Sequence, residues 1–312
     1  MSWTGLRLLA PKLQKILIEL SPDVIHAGPV QGPAFLASLT GIRPLVTMSW
    51  GSDLLLEAKR NLQTRMITRS TLLRTDVLVG DSKCIEAEAR KYGYWGPYYR
   101  FPWGVDLEHF SPIGEANLRT RLNWQDKTVV LSMRSFESLY DVECILRGFL
   151  AALKNQRELR LMVFGSGSQE PLLKKIAAES GEADKIHFGG SVTLEQLPDI
   201  YRSADLYVSA SHSDGASVSL MEAMACGLPA LVSDIPGNRE WITPGENGWL
   251  FKTGSAEDIT NYMISFDRDS ANVKQMRLRN RAIAEERADW KKNFPVLLQA
   301  YEKAIEIHRG RV

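Results

Sequence analysis

Two acidic side chains and a run of small residues lie close together in the segment Ser211–Pro229. Asp214 precedes Gly215, and Glu222 follows in a stretch whose apolar spacing predicts a helix. The apolar segment Leu206–Ser209, immediately before, predicts a strand, so the joining loop lies at a strand's carboxyl end, where open α/β sheets bind ligands. The first amides of a helix have no intrahelical acceptor and form its positive dipole end, which suits this loop to a diphosphate.

The spacing of the two acids allows two interpretations. In one, both carboxylates face a single ligand, with Asp214 directed towards a sugar and Glu222 towards ribose hydroxyls. In the other, both acids are capping side chains, since Ser219-x-x-Glu222 fits a capping box and Asp214 fits a turn or cap. Spacing alone favours capping, because such acids are common at the starts of helices.

Length and charge exclude several classes of protein. The chain has 312 residues, enough for two domains, and 44% of them are hydrophobic, as in folded globular proteins. A formal net charge of +1 gives no global field for nucleic acid, so we expect no nucleic-acid partner. The three cysteines show neither metal-ligand nor disulfide spacing, so we expect no metal site and a protein of the reducing cytoplasm. The expected location includes the inner face of the membrane.

Short apolar segments alternate with longer helix-like segments, which predicts parallel sheets covered by helices on both faces. The predicted strands are Val24–His26, Leu45–Met48, Val77–Val79, Val129–Met133, Leu159–Phe164, Ile186–Phe188, Leu206–Ser209 and Ala230–Val232. The helix-like segments include Cys144–Lys154, Gln169–Ser180, Leu194–Ala204, Ser219–Cys226 and Trp290–Ile307. The Pro- and Gly-containing segment Phe101–Gly114 is typical of a linker. We therefore predict a first domain over residues 1–110, a second over 111–288, and a helix over 289–312 that crosses back to the first.

The chain opens on a predicted helix, Trp3–Leu20, rather than on a strand and a glycine-rich turn. Its leucines recur at helical spacing, with Arg7, Lys12 and Lys15 between them. The stripe fits an ordinary helix that covers a sheet, and the alternative is a peripheral membrane contact through the first domain.

The segment Ser211–Pro229 resembles the donor-site motif of family-4 glycosyltransferases, in which an acid, a glycine-containing loop and a second acid precede Ala-Met-Ala-Cys-Gly-x-Pro. Asp214 stands where the family usually has its first Glu, and Glu222 matches the second. Further matching segments are Pro22–His26, Trp50–Asp53, Gly104–Asp106, Phe110–Pro112, Phe164–Gly167, Phe188–Val192, Ala230–Asp234, Gly237–Glu240 and Gly245–Leu250. The resemblance implies an α/β fold of GT-B type: two Rossmann-like, doubly wound parallel-sheet domains facing an interdomain cleft, the first incomplete.

The resemblance also implies a role for each part of the site. Glu222 would hold the ribose hydroxyls, Asp214 and the amides after it the donor sugar, and the first helix amides the diphosphate. Arg134 would bind phosphate, and the backbone around Val192 would read the edge of the base. The residues assigned to the donor are Glu222, Gly215, Ala216, Ser217, Val218, Ser219, Val192 and Gly165, and those assigned to the chemistry are Asp214 and Arg134.

The implied activity is retaining, metal-independent transfer of a hexose-type sugar to a glycan, lipid-linked or small-molecule acceptor. No cofactor is expected beyond the nucleoside-diphosphate sugar donor, for which we favour a UDP sugar. This sequence departs from the family pattern at three points. Trp50 stands where the family often has His, the region after Arg134 lacks the usual Lys, and the first domain lacks its opening strand and glycine-rich loop. These departures keep two alternatives open: a truncated, non-catalytic protein that binds sugar nucleotides or a partner, and a GT-B sugar-nucleotide epimerase.

Overall fold

A computed structural model describes residues 3–310, without the side chains of Trp3, Thr4, Leu6 and Arg7. The chain divides into two compact units. Unit one comprises residues 1–103, 213–216 and 291–312, and unit two comprises residues 104–212 and 217–290. Along the chain, unit one first gives way to unit two between Trp103 and Gly104, which lies within the predicted linker.

Unit one contains a four-stranded parallel sheet in the order β1-β2-β3-β4. Its strands are β1 (Ile25–Ala27), β2 (Leu45–Met48), β3 (Val77–Gly80) and β4 (Tyr98–Arg100). Its helices are α1 (Trp3–Leu20), α2 (Pro33–Leu39), α3 (Ser52–Leu55), α4 (Leu62–Leu72) and α5 (Lys83–Lys91), with a 3-10 turn at Glu57–Lys59. The strands β2 and β3 are buried along their whole length, as expected for parallel strands covered on both faces.

The last helix of the chain, α14 (Trp290–Arg309), supplies part of the core of unit one. Leu297, Ala300 and Ala304 pack with residues of β2 and β3 and with Phe101 in one apolar cluster. Small residues at this three- and four-residue spacing allow the helix to approach the sheet closely.

One face of helix α1 covers the sheet, as the simpler interpretation predicted. Leu17 packs against the cluster formed by Ile25, Ala37 and Leu45. Leu8, about half a turn around the helix from Leu17, is 72% exposed, and Leu20 at the end of the helix is 70% exposed. The side chains of Leu6 and Arg7 lie outside the description, and the membrane contact stays a prediction.

Unit two contains a six-stranded parallel sheet in the order β10-β9-β8-β5-β6-β7. Its strands are β5 (Thr128–Met133), β6 (Leu159–Phe164), β7 (Ile186–Gly190), β8 (Leu206–Ser209), β9 (Ala230–Ser233) and β10 (Gly248–Phe251). Its helices are α6 (Asn117–Arg121), α7 (Val142–Ala152), α8 (Glu170–Glu179), α9 (Leu197–Arg202), α10 (Val218–Ala225), α11 (Pro236–Arg239), α12 (Ala256–Ser265) and α13 (Ala271–Arg287), with 3-10 turns at Ala183–Lys185 and Leu194–Gln196. The strand order reverses between β5 and β8, which makes this the switch point where open α/β sheets bind ligands.

The predicted strands are all present, with ends shifted by at most a few residues. Two edge strands, β4 and β10, were not predicted. Both contain half-exposed positions; β4 has only three residues and ends in Arg100, and β10 begins at Gly248, so neither matches the pattern of a fully buried strand. Their place in the sheets therefore depends on partners distant in sequence.

Between residues 3 and 310, no helix combines the length and the apolar character required to cross a bilayer.

Candidate functional site

A cavity of about 360 Å³ opens at the carboxyl edge of the sheet in unit two. The residues that line it follow β5, β6 and β7 or belong to α9 and α10, and they are Met133, Arg134, Ser135, Phe164, Gly165, Ser166, Gly190, Ser191, Val192, Leu197 and Glu222. Its volume falls in the range of small-molecule pockets. The sheet topology thus creates a ligand-sized cavity at the switch point.

Arg134 is the cation of this cavity, and it follows directly after β5. Its Nη1 donates to Ser217 Oγ at 2.5 Å and to Ser219 Oγ at 3.2 Å. The guanidinium carbon lies 4.1 Å from the centroid of the Tyr140 ring, a cation–π contact that holds the side chain against the loop after β5. A guanidinium fixed in this way offers planar donors to an anion.

The start of α10 adds neutral donors beside this guanidinium. Ser217 is the N-cap residue, and its hydroxyl accepts from the amide of Leu220 at 3.4 Å. The amides of Val218 and Ser219 belong to the first turn, which has no acceptor within a helix. The buried Tyr207 shares a 2.8 Å hydrogen bond between its hydroxyl and Ser219 Oγ. Hydroxyls, amides and one guanidinium therefore meet at the positive end of a helix, which favours a phosphate.

Glu222 places a carboxyl group on the wall of the same cavity. The residue is only 8% exposed, and its Oε2 accepts a 2.6 Å hydrogen bond from the Tyr201 hydroxyl. Burial raises the pKa of Glu222 to about 7, although the Tyr201 hydrogen bond and nearby His109 act in the opposite direction. The capping-box interpretation is wrong, because the N-cap is Ser217 and the Glu222 carboxylate binds a tyrosine rather than the backbone.

Gly165 and Val192 complete the cavity on the side of β6 and β7. Gly165 has φ +140°, and a Cβ added there would lie 2.2 Å from the carbonyl oxygen of Arg134. Only glycine allows the loops after β5 and β6 to approach this closely. Val192 is half-buried and contributes an apolar surface to the cavity.

The structure places Arg134, Gly165, Val192, Ser217, Val218, Ser219 and Glu222 in unit two, whereas Asp214, Gly215 and Ala216 belong to unit one. The amides of Gly215 and Ala216 already have acceptors. The Gly215 amide donates to Asp214 Oδ1 at 3.0 Å, and the Ala216 amide donates to Asp81 Oδ2 at 2.9 Å. The interpretation of Asp214 as a turn residue therefore describes one of its contacts in this structure.

Asp53 and Trp50, the other matched residues of unit one, have different surroundings. Asp53 is buried and accepts from the Ser49 hydroxyl and from the amides of Val30, Trp50 and Leu54, at 2.6–3.1 Å. Burial raises its pKa despite these hydrogen bonds. Since these donors engage both carboxylate oxygens, Asp53 organises the loop after β2, while the Trp50 side chain is 55% exposed.

Three tyrosines of the site escaped prediction from the sequence. Tyr140, Tyr201 and Tyr207 contact Arg134, Glu222 and Ser219 respectively. Each lies on a different loop, helix or strand, and no spacing relates a tyrosine to its partner. Only their common position at the switch point identifies them.

No group of three or more His, Cys, Asp or Glu side chains in the described part of the chain is arranged to hold a metal ion.

Two family models match this sequence. One, described as glycosyl transferases group 1, matches residues 115–293, which is more than half of the chain. The other, described as glycosyl transferase 4-like, matches residues 3–82.

Curated relatives include two bacterial enzymes. The chain is 35% identical over 195 residues to the GtfA subunit of the UDP-N-acetylglucosamine–peptide N-acetylglucosaminyltransferase of Streptococcus pneumoniae, covering 53% of this chain and 38% of that protein. It is 30% identical over 222 residues to the D-inositol 3-phosphate glycosyltransferase of Streptomyces avermitilis, covering 67% of this chain and 47% of that protein. The chain thus spans about half or less of the length of these relatives.

Two solved structures share the fold. HepE of Anabaena, in complex with UDP, superposes with a TM-score of 0.82 at 17% identity, over 94% of this chain and 82% of that one. The sucrose-phosphate synthase of Thermosynechococcus elongatus gives a TM-score of 0.81 at 19% identity, over 97% of this chain and 80% of that one. The two parallel-sheet α/β units accordingly have the GT-B fold. With the family match over residues 115–293, the chain belongs to the group 1 glycosyl transferases.

Proposed function

We propose that this protein transfers a sugar from a nucleoside-diphosphate sugar to a hydroxyl group of an acceptor. The observation that carries the proposal is the arrangement at the switch point of unit two. There Arg134, the serine hydroxyls and the first amides of α10 meet beside a cavity that is also lined by the Glu222 carboxyl. The first group suits a diphosphate and the second suits paired hydroxyls of ribose.

The identity of the donor is supported by the relatives. The pneumococcal relative is named for UDP-N-acetylglucosamine, and the Anabaena structure contains UDP. We therefore propose a UDP sugar as donor, with the base against the apolar wall that Val192 and Leu197 contribute. A hexose-type sugar, held in part by Asp214, follows from the family resemblance.

The chemistry consists of exchanging one oxygen for another at the anomeric carbon of the sugar. The bond from that carbon to the diphosphate oxygen breaks, a bond to the acceptor oxygen forms, and the proton of the acceptor hydroxyl passes to the departing diphosphate. Negative charge grows on the departing diphosphate, so donors that are already fixed in place lower the barrier. Arg134 and the α10 amides are such donors, and they support transfer without a metal ion. Retention of the anomeric configuration is the outcome that the resemblance implies.

The acceptor is proposed to be a glycan, a lipid-linked sugar or a small molecule. A cytoplasmic location, including the inner face of a membrane, would fit such acceptors, and the exposed side of α1 would then be the surface to examine.

The binding half of the proposal can be tested by thermal denaturation with UDP, GDP and ADP. UDP is expected to raise the midpoint, and Glu222→Ala is expected to reduce that rise. Leu278→Ala, an exposed position outside the cavity residues, is the control and should respond to UDP like the unchanged protein. If none of the diphosphates shifts the midpoint at millimolar concentration, the proposal is wrong.

The catalytic half needs a transfer assay with UDP sugars and a panel of acceptors. Release of UDP that depends on an acceptor, together with a glycosylated product, supports the proposed reaction. Binding of UDP sugars without any turnover would favour the non-catalytic alternative. An epimerised UDP sugar formed without an acceptor would identify an epimerase.

A further inference from the structure

The two ends of strand β3 carry two buried aspartates with different surroundings. Asp76, before the strand, accepts from the Leu45 amide at 2.8 Å and pairs with Arg43. Asp81, directly after the strand, is 5% exposed and has no cation among the charged groups that act on it. Asp76 therefore has a structural ion pair, whereas Asp81 requires a different explanation.

One hydrogen bond of Asp81 reaches a distant part of the chain. Its Oδ2 accepts from the Ala216 amide at 2.9 Å, across 135 positions of sequence. Its Oδ1 is buried and has no hydrogen-bond partner among residues 3–310. A buried carboxylate oxygen without a donor is costly, and this cost makes Asp81 a candidate for a role beyond folding.

Gly215 is packed between Asp81 and a second glycine. A Cβ on Gly215 would lie 2.1 Å from Asp81 Oδ1, and a Cβ on Gly51 would lie 2.8 Å from the Gly215 amide nitrogen. Neither glycine can gain a side chain unless the backbone shifts. Asp81 therefore fixes the turn Asp214–Ala216 through one hydrogen bond and one close packing contact.

The charges near Asp81 are acidic. Burial, followed by the carboxylates of Asp214 and Asp53, raises the pKa of Asp81 to about 6, while the Ala216 amide and the Ser82 hydroxyl act in the opposite direction. Asp81 is mainly ionised above that pH, and it then accepts the amide most strongly. The hydrogen bond that Asp81 accepts from the turn should consequently weaken in mild acid.

We propose that Asp81 is a positioning residue for the turn Asp214–Ala216, and that it aligns the Asp214 carboxylate with the donor sugar. The inference rests on the proposed function, because Asp214 is assigned to the sugar there. In that assignment Asp214 contacts the sugar, whereas Arg134 and the start of α10 contact the diphosphate. Loss of the Asp81 hydrogen bond should therefore weaken binding of the sugar part of the donor and leave binding of the nucleotide part nearly unchanged.

Calorimetric titration with UDP and with UDP-glucose, UDP-galactose and UDP-N-acetylglucosamine separates these two parts. Asp81→Asn should weaken the UDP sugar that binds best by about tenfold, the effect of one weakened charge-assisted hydrogen bond, and leave UDP itself within about twofold. Asp76→Asn is the matched control at the other end of β3. It should lower the melting temperature but keep the ratio of UDP-sugar to UDP affinity.

The contact between Asp81 and Gly215 is tested by a double-mutant cycle that measures the same affinity ratio. Gly215→Ala places a methyl group against the Asp81 carboxylate and should weaken UDP-sugar binding. Asp81→Ala makes room for that methyl, so the double variant should bind no worse than the weaker single variant. Losses that simply add would contradict the proposed contact. This cycle also tests the positioning role of Asp81 if the Asp81→Asn variant folds poorly.

The pH profile gives a readout that a purely structural role would not change. Below a pH of about 6, the ratio of UDP-sugar to UDP affinity should be lower in the unchanged protein, relative to Asp81→Asn, than it is above that pH. Titration of Glu222 acts on both ligands, and titration of the terminal UDP phosphate acts in both proteins, so each cancels in this comparison. Profiles of identical shape in the two proteins would overturn the inference. If UDP fails to bind even the unchanged protein, the proposed function fails, which is a separate result.

Discussion

Arg134 Nη1 donates to Ser217 Oγ over 2.5 Å, although 83 positions of sequence separate the two residues. Arg134 follows β5, and Ser217 lies in the loop after β8. These two strands are neighbours in the sheet, where Val130 pairs with Leu206. The hydrogen bond therefore spans the switch point itself. It joins the cation of the cavity to the N-cap of the helix that supplies the neutral donors.

Replacement of Arg134 should weaken binding of the diphosphate selectively. We expect Arg134→Ala to reduce UDP affinity by roughly ten- to a hundredfold, the loss of one or two charge-assisted hydrogen bonds, whereas uridine should bind as before. Titration with UDP and uridine under the same conditions measures both. Equal losses for the two ligands would indicate a general disturbance of the cavity instead.

We expect the aromatic face of Tyr140, and not its hydroxyl group, to contribute to UDP binding. Tyr140→Phe keeps a ring under the guanidinium, which lies 4.1 Å from the centroid, and should bind UDP like the unchanged protein. Tyr140→Leu removes the cation–π contact and should cost about 0.5–2 kcal/mol of UDP binding. A loss in the Phe variant as large as in the Leu variant would argue against this role.

Glu222 should make UDP affinity depend on pH. Its pKa of about 7 means that the carboxylate form, which in the proposed site would accept from two ribose hydroxyls, becomes dominant as the pH rises through neutrality. Affinity for UDP should therefore increase between about pH 6 and pH 8. Glu222→Gln is the comparison, since only the titration of the ligand remains in it, and its increase should be smaller.

The Glu222 carboxyl group should also lower the free energy of unfolding at high pH. The folded pKa of about 7 exceeds the ordinary value of 4.5, so the folded protein holds this proton more tightly than the unfolded chain does. The free energy of unfolding consequently falls as the pH rises towards 7. Glu222→Gln lacks this loss and should be more stable at pH 8 by on the order of 1–3 kcal/mol, but not at pH 4. Denaturant unfolding at the two pH values tests the sign, and a variant that is less stable at both would refute the prediction.

Gly165 is expected to be intolerant of any side chain. Gly165→Ala combines φ +140° with a Cβ that would lie 2.2 Å from the Arg134 carbonyl oxygen, so it should destabilise unit two and weaken UDP binding. Gly181→Ala provides the control, because φ there is +73° but nothing lies within 4 Å of the added Cβ. The control should lose about 1 kcal/mol of stability and keep its UDP affinity. Melting temperature and UDP titration distinguish the two variants.

The sequence was sufficient to predict the fold class and most of the elements. The buried parallel strand β3 (Val77–Gly80) is a continuous apolar run, so its position can be read from the sequence of that segment alone. The segment Ser211–Pro229 also indicated a helix start at the carboxyl end of a strand, and α10 begins there. The edge strands gave a weaker signal, because β4 ends in Arg100, β10 begins at Gly248, and both have incompletely covered positions.

The partners of the site residues were decided by tertiary structure alone. Spacing favoured Glu222 as a capping acid, but the fold places it against Tyr201 on a cavity wall. Asp81 directly follows β3, and only the return of the chain at residue 216 brings the Ala216 amide to its carboxylate. Local patterns report what each segment can bury, whereas hydrogen bonds between distant loops depend on the order of strands in the sheet. That order is set by how the whole chain packs, and no single segment contains it.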